Sequence, residues 1–298
     1  MNLAQAEIEK NHLGGTCPAI PKTISRGTGS GDGDISEEGR ENGALVREPA
    51  LRCQSISAEY HGQRVLFDIS GEVGKYSILA VMGPSGCGKS TFLKTLNRSL
   101  ELTPGAKITS GEVWFAGRNI YAEKAVDPIL RRKVGSVLQR PVVFPMSIRE
   151  NVIFGARFHK LAKGRDLDVL GEESLRVVGL WDEVKDRLKD PAVRLSVGQQ
   201  QRLCIARTLA NKPEIILMDE PCSALDPRSS EKIEDLIKIL KDRYSIVIVT
   251  HNMGQARRLA DQVLFFFSGR VEGCGEAQAV FNRPQGKLLA DFLGGRFG

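Results

Sequence analysis

Nine consecutive residues, Gly83-Pro84-Ser85-Gly86-Cys87-Gly88-Lys89-Ser90-Thr91, carry the spacing G-x-x-x-x-G-K-[ST] between the apolar run Tyr76 to Met82 and a segment of helical character. In a strand–loop–helix setting such glycines let successive backbone N–H groups turn inward around a phosphate chain, and the helix N-terminus adds its positive dipole end. Lys89 then reaches the β and γ phosphates, and Ser90 offers a hydroxyl to Mg²⁺. The ligand so indicated is ATP or GTP. Far downstream, Ile215-Ile216-Leu217-Met218-Asp219-Glu220 reads as a buried strand ending in two acids. At the carboxyl edge of a parallel strand, Asp219 can hold Mg²⁺ through its shell while Glu220 faces an attacking water.

These groups need a sheet to carry them. From Leu51 onward, short β-rich runs alternate with helical stretches, the pattern of an α/β protein with a largely parallel central sheet. The expected core strands are Tyr76 to Met82, Gly135 to Leu138, Glu214 to Met218, Ser245 to Thr250 and Gln262 to Phe267. Leu51 to Ile69 and Gly111 to Phe115 alternate and carry turn signals such as His61-Gly62, which predicts an antiparallel β layer beside the nucleotide site. Residues from about Ser147 to Leu209 are nearly all helical in pattern, enough for a small helical subdomain inserted into the α/β core.

The chain has 298 residues, with 41% hydrophobic and 26% charged residues, ordinary for a soluble globular protein with ample core. The longest apolar runs fall far below the roughly 18 residues that span a bilayer, and no secretory signal pattern opens the sequence. Six cysteines lie scattered without C-x-x-C pairs, which argues against a zinc site and a disulfide framework and suits a reducing cytoplasm. Residues 1–48 contain Gly27-Thr28-Gly29-Ser30-Gly31-Asp32-Gly33-Asp34 and lack periodicity, so they read as a disordered tail, leaving residues 49–298 as the folded domain. Eight acidic against five basic side chains put that tail at −3, so the +6 of the whole chain becomes +9 on residues 49–298. Such a surplus suits nucleic acid or an anionic membrane; with no Lys/Arg run longer than three residues, a solvated basic surface is the simpler reading.

Between the two nucleotide motifs lies Leu195-Ser196-Val197-Gly198-Gln199-Gln200-Gln201-Arg202, followed by a helical run to Leu209. Here the chain resembles the ATP-binding cassette (ABC) ATPases, whose signature is Leu-Ser-Gly-Gly-Gln at a helix start. Other landmarks of that family follow in order: Tyr60, Gln139 after a strand, Ser223-Ala224-Leu225-Asp226 just after Glu220, and His251 after the strand Ser245 to Thr250. The resemblance implies a P-loop NTPase fold of the ABC type, ATP and Mg²⁺ as cofactors, and a homodimer in which the loop of one subunit faces the signature helix of the other. It implies that Tyr60 stacks on adenine and that Gly83 to Thr91 bind phosphates. It further implies that Ser90, Gln139 and Asp219 hold the metal, that Glu220 polarises water and that His251 contacts the γ-phosphate. Ser196, Gly198 and Gln199 would close the partner's site, with Asp226 beside it. Hydrolysis would separate the subunits and move membrane-embedded partners.

A further likeness, to the phosphate-importing members of the family, runs through Leu96-Asn97-Arg98, Gln139-Arg140-Pro141, Phe144-Pro145-Met146-Ser147-Ile148, Gln199 to Arg207, Thr250-His251-Asn252-Met253 and Gly295-Arg296-Phe297-Gly298. It covers nearly all of residues 51–298. It implies an inorganic phosphate importer at the cytoplasmic face of a bacterial membrane, with two integral permease subunits, an external phosphate-binding protein acting indirectly, and no nucleic-acid partner. An importer of another cargo, such as polar amino acids, would share every catalytic residue. A soluble ABC protein acting on nucleic acid would normally be a tandem pair of cassettes or carry a coiled-coil insertion. Val197 departs from the family's glycine, Cys222 stands where Thr is common, and the tail is longer than usual.

Overall fold

The computed structural model describes residues 48–123 and 127–296, together with a two-residue antiparallel pairing of Arg40–Glu41 with Ala44–Leu45. The expected disordered tail lies outside the described residues apart from that pairing and Glu48, as do the closing Phe297 and Gly298.

Two sheets form the frame. The antiparallel one is built from β1 (Leu51–Tyr60), β2 (Gln63–Val73), β4 (Ala106–Phe115) and β5 (Arg118–Asn119), in the order β2-β1-β4-β5. His61-Gly62 makes the hairpin between β1 and β2, and the strands run longer than their apolar alternation suggests because the outer face is solvated. The central sheet holds β3 (Ile78–Met82), β6 (Val134–Val137), β7 (Ile215–Asp219), β8 (Ser245–Thr250), β9 (Gln262–Phe267) and β10 (Arg270–Glu276). Its order is β10-β9-β3-β8-β7-β6, all parallel except β10, which pairs antiparallel with β9 at the edge.

The parallel strands are buried on both faces, which is why they read as unbroken apolar runs. Successive side chains project to opposite sides. Leu79, Val81, Leu217, Val247, Val249, Leu264 and Phe266 face one core together with Leu51, Ile56 and Leu66 of the antiparallel layer. Ile78, Ala80, Met82, Ile216, Met218, Ile246, Ile248 and Phe265 face the other, beneath the long helices. Helix α1 (Lys89–Thr95) wedges Phe92 and Leu93 into the first core, Phe92 stacking on Phe266 at 5.2 Å.

Residues 148–209 are mainly helical: α3 (Ile148–Phe158), α4 (Arg165–Val177), α5 (Trp181–Val184) and α6 (Val197–Leu209), after a short α2 (Pro128–Lys133). A capping box of Ser147 with Glu150 starts α3. Helix α6 reaches beyond the helical segment: Leu203, Ala206 and Leu209 pack into the core under the central sheet.

Two expectations need correction, and one strand was not expected. The first parallel strand starts at Ile78, because Tyr76 adopts φ 53° in a turn whose N–H bonds to Ser245 Oγ at 3.0 Å. The edge strand β10 was not legible, since Gly273 and Gly275 interrupt its pattern and its residues are only half-buried. Cys53, Cys87, Cys204 and Cys222 are free thiols as expected, but Cys274 on β10 is disulfide-bonded. Among the described residues no helix is long and apolar enough to cross a membrane.

Candidate functional site

Parallel register brings the chemistry together. Thr250 pairs with Met82, and Val249 with Asp219, so β3 and β8 end level with one another and β7 one residue short of them. The next residues, Gly83, His251 and Glu220, therefore emerge side by side at the carboxyl edge of the sheet, where ligands bind in open α/β folds. Strand β6, paired Val137 to Met218, delivers Gln139 to the same edge.

The loop Gly83 to Gly88 joins β3 to α1. Gly83 has φ 148° and passes so close to β9 that a Cβ would lie 2.2 Å from the Phe266 carbonyl oxygen, so no other residue fits there. Gly86 and Gly88 also have positive φ, the alternation that turns successive N–H groups toward one centre. Pro84 is half-buried, while Ser85 and Gly86 face solvent. Lys89 is 5% exposed, and its ammonium donates to the carbonyls of Gly83 and Pro84 at 2.8 and 2.7 Å. Burial raises the Cys87 thiol above its usual range, partly offset by the adjoining Lys89 charge, so Cys87 is a neutral packing group. Thr91 Oγ1 lies 3.4 Å from the Tyr60 hydroxyl, which sets the aromatic ring at the end of β1 beside the loop helix.

Ser90 Oγ donates to Asp219 Oδ1 at 2.9 Å, joining two motifs that are 129 residues apart. Burial raises the Asp219 carboxyl, and the Ser90 hydrogen bond opposes that rise. A half-buried carboxylate beside a hydroxyl is an oxygen donor set that fits a hard cation such as Mg²⁺. Among the described residues no group of three His, Cys, Asp or Glu side chains forms a self-sufficient metal cage.

Glu220 is the bent member of the site. Its φ of 43° is rare for a residue with a side chain, and its N–H bonds to Val249 O at 2.9 Å, so neighbouring β8 holds the strained turn. The turn points the carboxylate between two donors: His251 Nδ1 lies 3.0 Å from Oε1, and Gln139 Nε2 donates to Oε2 at 3.1 Å. His251 is 55% exposed at its side chain. A cleft of about 600 Å³ adjoins them, lined by Glu220, Thr250, His251, Asn252 and Cys222 among others.

The signature turn is built differently. Ser196 caps α6: its Oγ accepts from the Gln199 N–H at 3.3 Å, and Gln199 Oε1 accepts from the Ser196 N–H at 3.0 Å. Val197 is 49% exposed at the first turn. A Cβ on Gly198 would come 2.8 Å from Ser229 Oγ, so this glycine seats α6 against α7 (Pro227–Leu240) of the same chain. Asp226 caps α7, accepting from the Arg228 and Ser229 N–H groups and from Ser229 Oγ at 2.5 Å, which lowers its carboxyl pKa. Among the described residues no hydrogen bond links the turn 196–199 to the loop 83–91 of the same chain.

Several supporting residues carry no signal of their role in the sequence. Gln201 and Arg207 donate to Leu138 O and Val142 O at 3.4 and 2.8 Å, clasping both sides of Gln139 to helix α6, and Arg207 also stacks on Phe144 at 4.3 Å. Glu183 accepts from Gln199 and Arg202. All are polar residues within a helical pattern, and only the packing reveals their partners.

Comparison with known proteins places this geometry. The family model described as ABC transporter matches residues 66–223. The chain is 47% identical over 253 residues to the phosphate import ATP-binding protein PstB of Shewanella denitrificans, covering 85% of this chain and 93% of that one. It is 48% identical over the same length to phosphate import ATP-binding protein PstB 2 of Bacillus licheniformis, covering 85% and 92%. Among solved structures, CbiO1 from Clostridium perfringens, part of the ABC transporter complex CbiONQ, aligns with TM-score 0.69 at 27% identity over 80% of this chain and 92% of that one. A bacterial Atm1-family ABC exporter with ATP bound shares the fold with TM-score 0.71 at 21% identity, covering 99% of this chain and 46% of that one.

Proposed function

The chain belongs to the ABC transporter family, and from that premise we propose that it is the ATP-hydrolysing subunit of an importer that carries inorganic phosphate across the cytoplasmic membrane. The observation that carries the reading is the meeting of Ser90, Asp219, Glu220, His251 and Gln139 at one sheet edge, in a chain whose likeness to the phosphate-import proteins extends well beyond these motifs.

The loop Gly83 to Thr91 binds the phosphates of ATP, with Lys89 as the point charge and Tyr60 beside Thr91 to stack on the base. Ser90, Asp219 and the Gln139 amide oxygen would hold Mg²⁺, which when bound would neutralise charge on the phosphate oxygens. Glu220, steadied on its two oxygens by His251 and Gln139, orients the attacking water and accepts its proton. His251, whose Nδ1 faces Glu220, contacts a γ-phosphate oxygen through its other ring nitrogen.

The turn Ser196 to Gln199 offers its helix N-terminus to the nucleotide of a second copy, with Asp226 beside that interface. ATP then closes a homodimer and hydrolysis opens it. The clasp of Gln201 and Arg207 on the Gln139 segment supports transmission of that change to the helical subdomain, residues 147–209. Two integral permease subunits at the cytoplasmic face receive the motion, and an external phosphate-binding protein acts through them; nucleic acid has no part. Purification of the full chain from native membranes should bring two integral permeases with it, and deletion of its gene should cut phosphate uptake at micromolar supply and spare amino-acid uptake. Unchanged phosphate uptake with no second copy of the gene would overturn the cargo.

A further inference from the structure

Helix α4 ends in a turn at Gly179, whose φ of 62° lets the Leu180 N–H reach back to Leu175 O at 2.9 Å and redirects the chain into α5. This turn carries Glu183 across to the first turns of α6. There its Oε2 accepts from Gln199 Nε2 at 2.9 Å and from Arg202 at 3.0 Å, while Oε1 accepts a second Arg202 bond at 2.9 Å. Arg202, itself 7% exposed, also donates to Gly179 O at 2.6 Å, so the same guanidinium grips both ends of the redirecting turn. Gln199 spends its remaining oxygen on the Ser196 N–H. A continuous chain of bonds thus runs from buried Arg202 through Glu183 and Gln199 to the backbone of Ser196, the residue that opens the signature turn.

Ser196 and Gln199 can cap one another without any third residue, as a capping box does. The cap of α6 therefore does not call for Glu183, although Glu183 also neutralises the buried Arg202 of that helix. What Glu183 adds is a tether that holds the Gln199 side chain, and with it the Ser196 turn, to a neighbouring helix at a charge-assisted bond. Burial tends to raise the Glu183 carboxyl, but the hydrogen bonds from Arg202 and Gln199 outweigh it and lower the pKa, so the tether is ionised under ordinary conditions.

We propose that Glu183 is a positioning residue for ATP-driven closure: through Gln199 it holds the Ser196 turn in the orientation that meets the nucleotide of the partner subunit. The proposal rests on the reading above that this turn acts across the dimer. Within one chain the loop 83–91 has no hydrogen bond to Glu183, so ATP affinity of a single subunit is independent of it.

The test uses the full chain in a Glu220→Gln background, with ATP affinity measured at dilution and dimer fraction against ATP by sedimentation. Glu183→Ala should raise the ATP concentration needed for half-dimerisation about tenfold while single-subunit ATP affinity stays within twofold. Glu183→Gln, which keeps one oxygen to share between Gln199 and Arg202, should fall between, and it decides the matter if the alanine variant does not fold. Glu183→Ala combined with Gln199→Ala should be no worse than the more severe single variant, since both act through one relay. Equal loss of ATP affinity and closure, or no change in closure, would overturn the proposal. Ser196→Asp separates the two levels: if it abolishes closure while Glu183→Ala does nothing, only the role of Glu183 fails, whereas a Ser196→Asp chain that still closes refutes the trans reading itself.

Discussion

Replacing Glu220 by Gln tests the catalytic reading most directly, because shape is kept and charge is lost. In the structure both carboxylate oxygens accept, from His251 Nδ1 at 3.0 Å and Gln139 Nε2 at 3.1 Å. An amide retains one acceptor and turns an NH₂ toward the other donor, so one of the two bonds is lost. Both donors are exposed and can turn to water, which limits the stability cost to about 1 kcal/mol, or roughly 2–4 °C in Tm for a domain of this size. The chemical cost is much larger. Removing a positioned general base slows turnover by about 10²–10⁴-fold, equivalent to roughly 3–5 kcal/mol in barrier height. With ATP binding assigned to Lys89, Ser90 and the loop backbone in the proposed function, affinity should change less than about threefold, under 1 kcal/mol. The expected signature is a folded protein that binds ATP, accumulates as an ATP-bound dimer and releases almost no phosphate. Turnover within tenfold of wild type in a phosphate-release assay, or an ATP affinity that falls in step with turnover, would refute the assignment.

Lys89→Ala should weaken ATP binding itself, because it removes the charge held at the Gly83 and Pro84 carbonyls; equal affinity by calorimetry would sink the loop assignment. Gly198→Ala adds a methyl 2.8 Å from Ser229 Oγ, an overpacking cost of about 1–3 kcal/mol set against roughly 1 kcal/mol of helix propensity gained. ATP-driven dimerisation should fall, and Ser229→Gly should restore it; a loss that Ser229→Gly leaves uncorrected would mean the methyl acts elsewhere. Val197, half-exposed at the start of α6, is β-branched where the family has glycine. In the Glu220→Gln background, Val197→Gly should tighten the ATP dimer about fivefold, near 1 kcal/mol, and Val197→Asp should nearly abolish it; sedimentation showing a looser glycine variant would remove Val197 from the nucleotide interface.

The central strands were legible because parallel strands buried on both faces leave continuous apolar runs: Ser245–Thr250 and Gln262–Phe267 are found where the sequence predicts them, and Ile215–Asp219 within one residue. Edge strand β10 escaped because its residues are only half-buried and two glycines interrupt its pattern. The strand–loop–helix setting of Gly83 to Thr91 and the strand that ends at Asp219 were readable because each motif carries its own residue types at fixed short spacing. The sequence by itself therefore determined the nucleotide chemistry, the α/β class and the family resemblance, all of which depend on local pattern. Only the tertiary structure decided the rest. The parallel register of β3, β7 and β8, whose ends lie within one residue of each other, puts Gly83, Glu220 and His251 at one sheet edge, and the φ of 43° at Glu220 aims its carboxylate. Gly198 proved to seat against Ser229 of its own chain, and Glu183 to tether Gln199. Such contacts join residues 16 to 129 positions apart through backbone register and packing, and no periodicity in the sequence encodes which distant side chain will fill a given hydrogen bond.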